Sequence, residues 1–493
     1  MNNNITELFS NSNHLGAFNP LYYVDDSGKF QFSKSLNNIL NKYKGDFEID
    51  MAAMACVLSK RYMFGDKTII KGIYRTPWMA RPNDKENEWN YHTLPNHGQK
   101  IKSQDEITDD IFQLLCEEIK TYIGDNKSIG ILLSGGMDSR IVAGIINYLQ
   151  EKKEISIDNV VAYTWGNSDS RDVVYAKRIA LQFGWKWNHY KVGAEKLWRN
   201  ILLAGERGCE FSGIHLHAMP DIAGDAVKEV DIILGGSYGD SVGRAEFSDR
   251  HITNLLPIEK GIKNFGELMD SGKYKTEKNS LLKEVQKYHS IFPRDKNYQQ
   301  MELDYQLHYM RRMLNPCMEV IHEKVPLHQV FTAPKVFSYI WSLDPKCRGN
   351  ELYKGVFDKY LTSLQDIPWA RTGLKYGEKS GVPDGYSKRH HNYEYYMENS
   401  LKDRIAESID GLKFPGLNSY CIKQIHKNII KYPNFNFDYI EVLSGAISFG
   451  VFTEKYNIKM TGLKKSNLFN RNINLLKLNM GYHIKRSVRK FRK

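Results

Sequence analysis

The sequence predicts an α/β fold: a doubly wound parallel sheet, a helical C-terminal half and a small α+β region ahead of the sheet. Three observations carry this. Between residues 128 and 236, short apolar runs alternate with amphipathic stretches, the pattern of buried parallel strands joined by crossover helices. A glycine-rich turn, Ser134–Gly135–Gly136, separates the first run from the helix after it. Beyond about residue 255 the apolar spacing is mostly helical.

In chain order, residues 1–20 are polar and Asn-rich and are expected to be loosely ordered. Short β-like runs follow, LYYV (21–24), KFQFS (29–33) and KTIIKGIYR (67–75), with a helical stretch near 49–62. Residues 93–106 read as a polar linker, after which Ile107, Ile111, Leu114, Leu115 and Ile119 recur at helical spacing. SIGILL (128–133) suits a buried strand, and Ile141, Val142, Ile145, Ile146 and Leu149 share one face of the following helix. NVVAYTW (159–165) predicts a second strand and Asp172–Phe183 a second helix, stopped by Gly184. WKWNHYKV (185–192) and VDIILGG (230–236) predict a third and a fourth strand.

Composition narrows the function classes. With 493 residues, 41% hydrophobic and 12% aromatic, the chain can bury a large core in two or three domains. No apolar run reaches the roughly 20 residues that span a bilayer. The start, MNNNITELFSNSN, lacks the basic and apolar parts of a secretory signal, so a cytoplasmic location is expected. Six scattered cysteines with no CxxC pair argue against zinc ribbons, thioredoxin-type sites and a disulfide framework. The net charge of +12 does not point to nucleic acid. Eleven Lys and Arg and no acid fall in 459–493, and taking these from the total of 69 leaves 58 basic against 57 acidic residues. That tail interleaves Leu475, Leu478, Ile484 and Val488 with its basic residues, so a peripheral contact with an anionic membrane face is expected of it.

Ser128–Arg140, SIGILLSGGMDSR, carries the chemistry. Adjacent glycines let the chain turn sharply and leave room for a phosphate. The helix that follows offers free N–H groups and a positive dipole end. Ser134 and Ser139 add hydroxyls, and Asp138, being negative, suits Mg²⁺ rather than phosphate itself. Arg140 follows in the first helical turn, where a cation is unfavourable unless it meets an anion, so it is expected to face pyrophosphate or a substrate carboxylate. There is no GxxxxGK[ST] sequence, which excludes a Walker-type loop.

SGGMDS between a strand and a helix resembles the pyrophosphate loop of ATP pyrophosphatases. Further segments make the chain similar to the synthetase domain of asparagine synthetases and their relatives, the β-lactam synthetases and lasso-peptide cyclases. DIILGGSYGDSVGR (231–244) resembles that family's SGEGADELFGG segment, VFTAPKVFSYIWSLDP (330–345) its PFLD…LVEFALSLPP helix, and WARTG (369–373) its W-R-P-K-Q-G segment. GKFQFSKS (28–35) and FGDKTIIKGIYRTPW (64–78) look like late strands of its glutaminase domain.

The resemblance implies an adenine nucleotide α-hydrolase-like fold that uses ATP with Mg²⁺. It implies nucleotide contacts from Leu133, Ser134, Gly135, Gly136, Met137, Asp138, Ser139, Trp165, Gly235 and Gly236, and a metal pair Asp138 and Asp240. The family lysine is absent, and Arg371 is the expected stand-in as a catalytic residue beside Arg140. Residue 2 is Asn2 where glutamine-hydrolysing members need Cys, so a truncated, inactive glutaminase-like domain is expected over 21–105, the synthetase domain over 106–458 and a basic tail over 459–493. Ala333 and Ser338 replace acidic residues of the family, which leans the acid substrate away from aspartate.

The function these readings imply is an AMP- and pyrophosphate-forming amide ligase. It would join a carboxylate, on a small molecule, peptide or saccharide, to an amine or to ammonia, with any ammonia supplied from elsewhere. A catalytically silent nucleotide-binding partner, and an asparagine synthase fed with free or partner-supplied ammonia, stay open as alternatives. Tyr-rich composition without an RNA-binding appendage or a cysteine pair disfavours tRNA thiolation. A mobile basic loop over 371–391 is expected to close on ATP, and His215 and His217 are expected to be structural.

Overall fold

Among the residues that the computed structural model describes (19–42, 47–83, 88–378, 380–433, 437–456, 458 and 472–480), strand pairing makes one large sheet and three small ones. β1 (Leu21–Val24) is the middle strand of an antiparallel trio with β2 (Phe30–Ser33) and β3 (Ile73–Arg75). β4 (Ala80–Asn83) and β5 (Glu88–Tyr91) form a ribbon. The large sheet contains β6 (Ser128–Leu132), β7 (Asn159–Trp165), β8 (Lys186–Tyr190) and β9 (Ile232–Gly235). After a short hairpin, β10 (Glu246–Phe247) and β11 (Arg250–His251), the chain returns with β12 (Leu327–Gln329).

The order β12-β9-β6-β7-β8, parallel throughout, is the doubly wound arrangement the sequence predicts. The chain winds outward from β6 to β8, then restarts on the other side of β6 with β9. The switch point between β6 and β9 is where ligands sit in such sheets. β12 is not legible in advance, because LHQ is only three residues long with a half-buried His328 at its centre. The flanking helices follow their apolar faces. Helix Gln104–Ile123 opens on a capping box, in which the Ser103 hydroxyl accepts from the Glu106 N–H and the Glu106 carboxylate accepts from the Ser103 N–H. Helix Arg171–Gln182 ends just before Gly184, whose φ of +68° reverses the chain.

Residues 19–105 share their core with later parts of the chain. Leu21, Ile39, Met54 and Ile73 lie in one apolar cluster with Ile201, Ile222 and Ile447. The seam is also charged. Arg75 donates to Glu210 (2.9 Å) and Glu319 (2.7 Å), and Arg312 donates to the same Glu210 (3.0 Å). Asp66 accepts from Lys287 (2.8 Å), Tyr288 (2.6 Å) and Arg311 (3.2 Å). Burial alone would raise the pKa of Glu210, but Arg75 and Arg312 outweigh it and hold the carboxyl below its usual range. Further along, burial of Glu302 is likewise outweighed by Arg348 and His97, and its pKa falls to about 2.

Of the tail, residues 472–480 form a helix with Leu478 buried and the Asn474 amide donating to the Met269 carbonyl (3.0 Å). The rest of 459–493, with most of its basic residues, and residues 1–18 lie outside the described residues. No helix among the described residues is long and apolar enough to cross a membrane.

Glu210→Gln removes one charge from a paired set and leaves two buried guanidiniums under-compensated, which is expected to cost about 3–5 kcal/mol in urea unfolding followed by tryptophan fluorescence. Because the folded pKa values of Glu210, Asp66 and Glu302 are depressed, their contribution is complete above the unfolded value near 4.5. It is lost as pH falls toward about 2, where a melting-temperature titration should drop steeply.

Candidate active site

At the carboxyl end of β6 the chain turns through Ser134, Gly135 and Gly136 into helix Met137–Glu151. Two serines brace the turn. The Ser134 N–H donates to the Ser139 hydroxyl oxygen (3.1 Å), the two hydroxyls lie 3.1 Å apart, and the Gly136 N–H donates to the Ser134 oxygen (3.1 Å). Asp172 lies behind the turn, its Cα 3.0 Å from where a Gly135 Cβ would be. Gly135 is fixed by crowding, since a Cβ there would lie 2.9 Å from the Arg171 carbonyl and 3.0 Å from Ala370. Parallel pairing sets Leu132 beside Tyr163 and Gly235, so Trp165 ends β7 level with the turn on one side and Gly235 ends β9 on the other.

The second loop, after β9, is pressed against the first. A Cβ on Gly236 would meet the Asp138 carbonyl at 2.7 Å, and one on Gly239 would meet the Asp138 side chain at 2.5 Å. Gly239–Gly243 form a π-turn closed by the Arg244 N–H on the Gly239 carbonyl (3.0 Å), a geometry often found at functional sites. The turn carries Asp240 into the neighbourhood of Asp138. Burial raises the Asp240 pKa, Asp138 raises it further against Arg244, and the carboxyl is pushed up to about 7.

Arg244 bridges Asp138 and Glu246. Its Nε and Nη2 face the two Asp138 oxygens at 3.4 Å each, and its Nη1 donates to Glu246 (2.9 Å). Glu246 also accepts from Arg371 (3.1 Å), which pairs with Asp249 (2.8 Å) and lies over the Trp369 ring, 4.6 Å from its centre. The structure therefore brings Asp138, Asp240 and Arg371 to one locus. Sequence reasoning missed Arg244, Glu246 and Asp249. The signal for Arg244 was present, as an arginine four residues after Asp240 in an otherwise glycine- and serine-rich segment. Two supports were also missed: the Tyr353 hydroxyl donates to the Gly239 carbonyl (2.7 Å), and Arg348 donates to the Val242 carbonyl (2.7 Å) while paired with Glu302 (2.6 Å).

Some expectations require correction. Arg140 is not open to a ligand. It is 1% exposed and donates to the carbonyls of Ile367 (2.6 Å), Pro368 (2.7 Å) and Gly135 (3.1 Å), tying the turn to the 367–370 segment. Leu133 has its N–H on the Tyr163 carbonyl (3.0 Å), its carbonyl on the Thr164 hydroxyl (2.9 Å) and its side chain in the core, which leaves it no donor for phosphate. The Met137 side chain is buried as well, so only its backbone can serve a ligand. Gly235 and Gly236 are crowded, since a Cβ would lie 2.5 Å from the Gln329 side chain and 2.7 Å from the Asp138 carbonyl respectively.

Within 371–391, the end at Ser387 to His390 is strapped down. Ser387 exchanges backbone bonds with Asp169 (3.0 Å) and Arg171 (2.8 Å), and the His390 carbonyl accepts from the Asn167 N–H (2.7 Å). His215 pairs with Glu441 (3.1 Å) and His217 bonds the Tyr393 hydroxyl (2.8 Å). Among the described residues no cluster of three or more His, Cys, Asp or Glu could hold a metal by itself.

Fold and site define a class: a doubly wound α/β domain with a glycine turn at the switch point of its parallel sheet. Residues 113–301 match the family model of asparagine synthase. The chain is 28% identical over 104 residues to the amidase chry2 of Gibberella zeae, covering 19% of this chain and 16% of that protein. It is 22% identical over 249 residues to a protein described as a glutamine-hydrolysing asparagine synthetase in Methanocaldococcus jannaschii, covering 48% of this chain and 46% of that one. The chain thus spans less than half the length of these relatives. A solved structure of the U34-tRNA thiolase NcsA from Methanococcus maripaludis aligns at 14% identity and a TM-score of 0.24, covering 64% of this chain and 93% of that chain.

Asp138 and Asp240 suit a hard divalent cation. They are oxygen donors in a locus where Asp138, Asp240, Glu246 and Asp249 outnumber Arg244 and Arg371, and where burial and mutual repulsion oppose ionisation of Asp240. Because its folded pKa is raised, Asp240 lowers the stability of the unliganded chain as pH rises from the unfolded value of 3.8 to about 7, and the loss levels off above that. Asp240→Asn is expected to raise the melting temperature at pH 8 while abolishing the further rise given by MgATP. Scanning calorimetry with and without MgATP checks both.

Proposed function

We propose that the chain is an ATP-dependent amide ligase that forms AMP and pyrophosphate. The observation that carries this is the proximity of Asp138 and Asp240, from separate strand ends, with the Arg244 guanidinium on Asp138. In the reaction, a carboxylate oxygen of the acid substrate attacks the α-phosphorus of ATP, and the bond from that phosphorus to the bridging oxygen breaks to release pyrophosphate. An amine or ammonia then attacks the acyl carbon, and the carbon–oxygen bond to AMP breaks. Mg²⁺, held by Asp138 and Asp240, would screen the charge of the departing pyrophosphate.

The braced turn and the start of helix Met137–Glu151 orient the phosphates. Arg244 and Arg371 face the developing negative charge, both held in place by Glu246 so that little reorganisation accompanies the reaction. The strap at Ser387 to His390 supports exclusion of water from an acyl-adenylate that would otherwise hydrolyse. Cys56 is not a nucleophile in this scheme. It is fully buried, and burial pushes its thiol up to about 12, so the amine comes from free or partner-supplied ammonia or from a second substrate. The working location is the cytoplasm, with the basic tail as a contact for an anionic membrane face, and nucleic acid is not a substrate.

Exchange of labelled pyrophosphate into ATP is the test. It should require Mg²⁺ and an acid substrate, vanish in Asp138→Ala, and fall about 10²–10³-fold in Arg244→Met, the loss typical of removing one fixed electrostatic group. Release of ADP and phosphate instead of AMP and pyrophosphate would overturn the reading.

A further inference from the structure

A cavity of about 370 Å³ opens beside the site, between the 59–62 corner, the β10–β11 hairpin, the π-helical stretch Tyr305–Leu314 and helix Phe437–Lys455. The volume is within the range of small-molecule sites. One wall is aromatic and continuous: Tyr62 lies 5.3 Å from Tyr309, Tyr309 lies 6.2 Å from Tyr305, and Tyr305 lies 5.2 Å from Phe247, between ring centres. The wall is shared with the catalytic locus. Phe247 and Ser248 sit between Glu246 and Asp249, the two carboxylates that hold Arg371. The Tyr309 hydroxyl lies 3.4 Å from the Ser248 hydroxyl, and Asp240 adds to the burial that raises the Tyr309 pKa.

The rest of the lining is charged, and its charges do not cancel. Glu441 and Asp438 are both engaged by Arg61, at 2.7 and 3.2 Å, and Glu441 also pairs with His215. Two cations on the lining remain. Lys60 donates to the Lys260 carbonyl at 3.3 Å and makes no ion pair among the described residues. Arg250 makes none there either, and it lies close enough to Tyr305 to act on its hydroxyl. An anion is therefore favoured over a cation, and a ring over an open chain, because flat faces of Tyr and Phe gain most from a planar or ring-shaped partner.

We infer that this cavity receives the acid substrate, and that the acid is a ring-bearing carboxylate, with the ring on the Tyr62–Tyr309–Tyr305–Phe247 wall and Arg250 as its anionic anchor. The inference rests on the ligase reading for the fate of that acid, but binding can be measured without turnover. The hairpin gives the position a further mark. Ala245, Ser248 and Asp249 all adopt positive φ, at +54°, +48° and +64°, in residues that prefer to avoid it, so the turn is held in this shape against its own preference.

The test uses the full chain and four probes, benzoate and D-glucuronate against acetate and L-aspartate. Saturation-transfer NMR should show binding of at least one ring carboxylate and weaker binding of both open-chain acids. Arg250→Ala, a change at an exposed side chain, should weaken the ring carboxylate about tenfold or more while leaving the affinity for ATP unchanged, and Arg250→Lys should recover part of the loss. Equal binding of open-chain acids, ring-acid binding indifferent to Arg250, or no binding of any probe would each overturn the inference. Pyrophosphate exchange separates the two claims. Exchange driven by aspartate and unaffected in Arg250→Ala keeps the ligase and removes the cavity as its acid site. Arg250-dependent binding of a ring acid, with no exchange for any acid tried, keeps the cavity and removes the ligase.

Discussion

The site depends on how closely the backbone of Gly236 and Gly239 approaches Asp138. Side chains at those two positions would collide with it, so the loops after β6 and β9 meet only because both positions are glycine. That approach sets two carboxylates near each other at the switch point of the sheet. Their repulsion creates a demand for positive charge that the chain meets in part through Arg244, and Arg244 in turn requires Glu246 and the strained hairpin that carries it. Glycine spacing, carboxylate proximity, the guanidinium clamp and the hairpin are thus successive consequences of one packing constraint.

The central sheet was legible because its information is local. Apolar runs of β6, β7 and β9, bounded by turn residues and separated by helical periodicity, need no distant partner to be recognised. The glycine turn with Asp138 was legible for the same reason, since it lies within a handful of residues. Arg140 was misread for the opposite reason. A cation in the first turn of a helix suggests an anion nearby, but its carbonyl partners at Ile367 and Pro368 are more than two hundred residues away and invisible in the pattern. The close approach behind the glycines of the β9 loop was not legible, because sequence does not show which backbone will come to lie against a glycine.

The amino-terminal region shows a further limit. Strands β1 to β3 and the helix Met51–Lys60 could be read in outline, but not the β4–β5 ribbon or the helix Leu36–Lys42, nor where any of them would rest. Asp66 and Arg75 look like surface charges in sequence, yet they sit deep in the seam with Glu210, Lys287, Arg311, Arg312 and Glu319. Buried charge of this kind adds little net stability compared with an apolar seam, but it is unforgiving of a missing partner, and so it specifies which surfaces meet. The ring-lined cavity next to Phe247 takes part of its wall from Tyr62, so the same seam shapes the space beside the Glu246 and Asp249 carboxylates.

That seam bears on how the polypeptide is made. A chain leaving the ribosome amino end first presents Asp66 and Arg75 well before Glu210, Arg311, Arg312 and Glu319 have been translated, and Arg61 must wait for Glu441. The opening strands therefore cannot settle as an early, self-sufficient unit. They stay unlocked until synthesis is nearly complete, and a product released early keeps stranded charges where its interior should close.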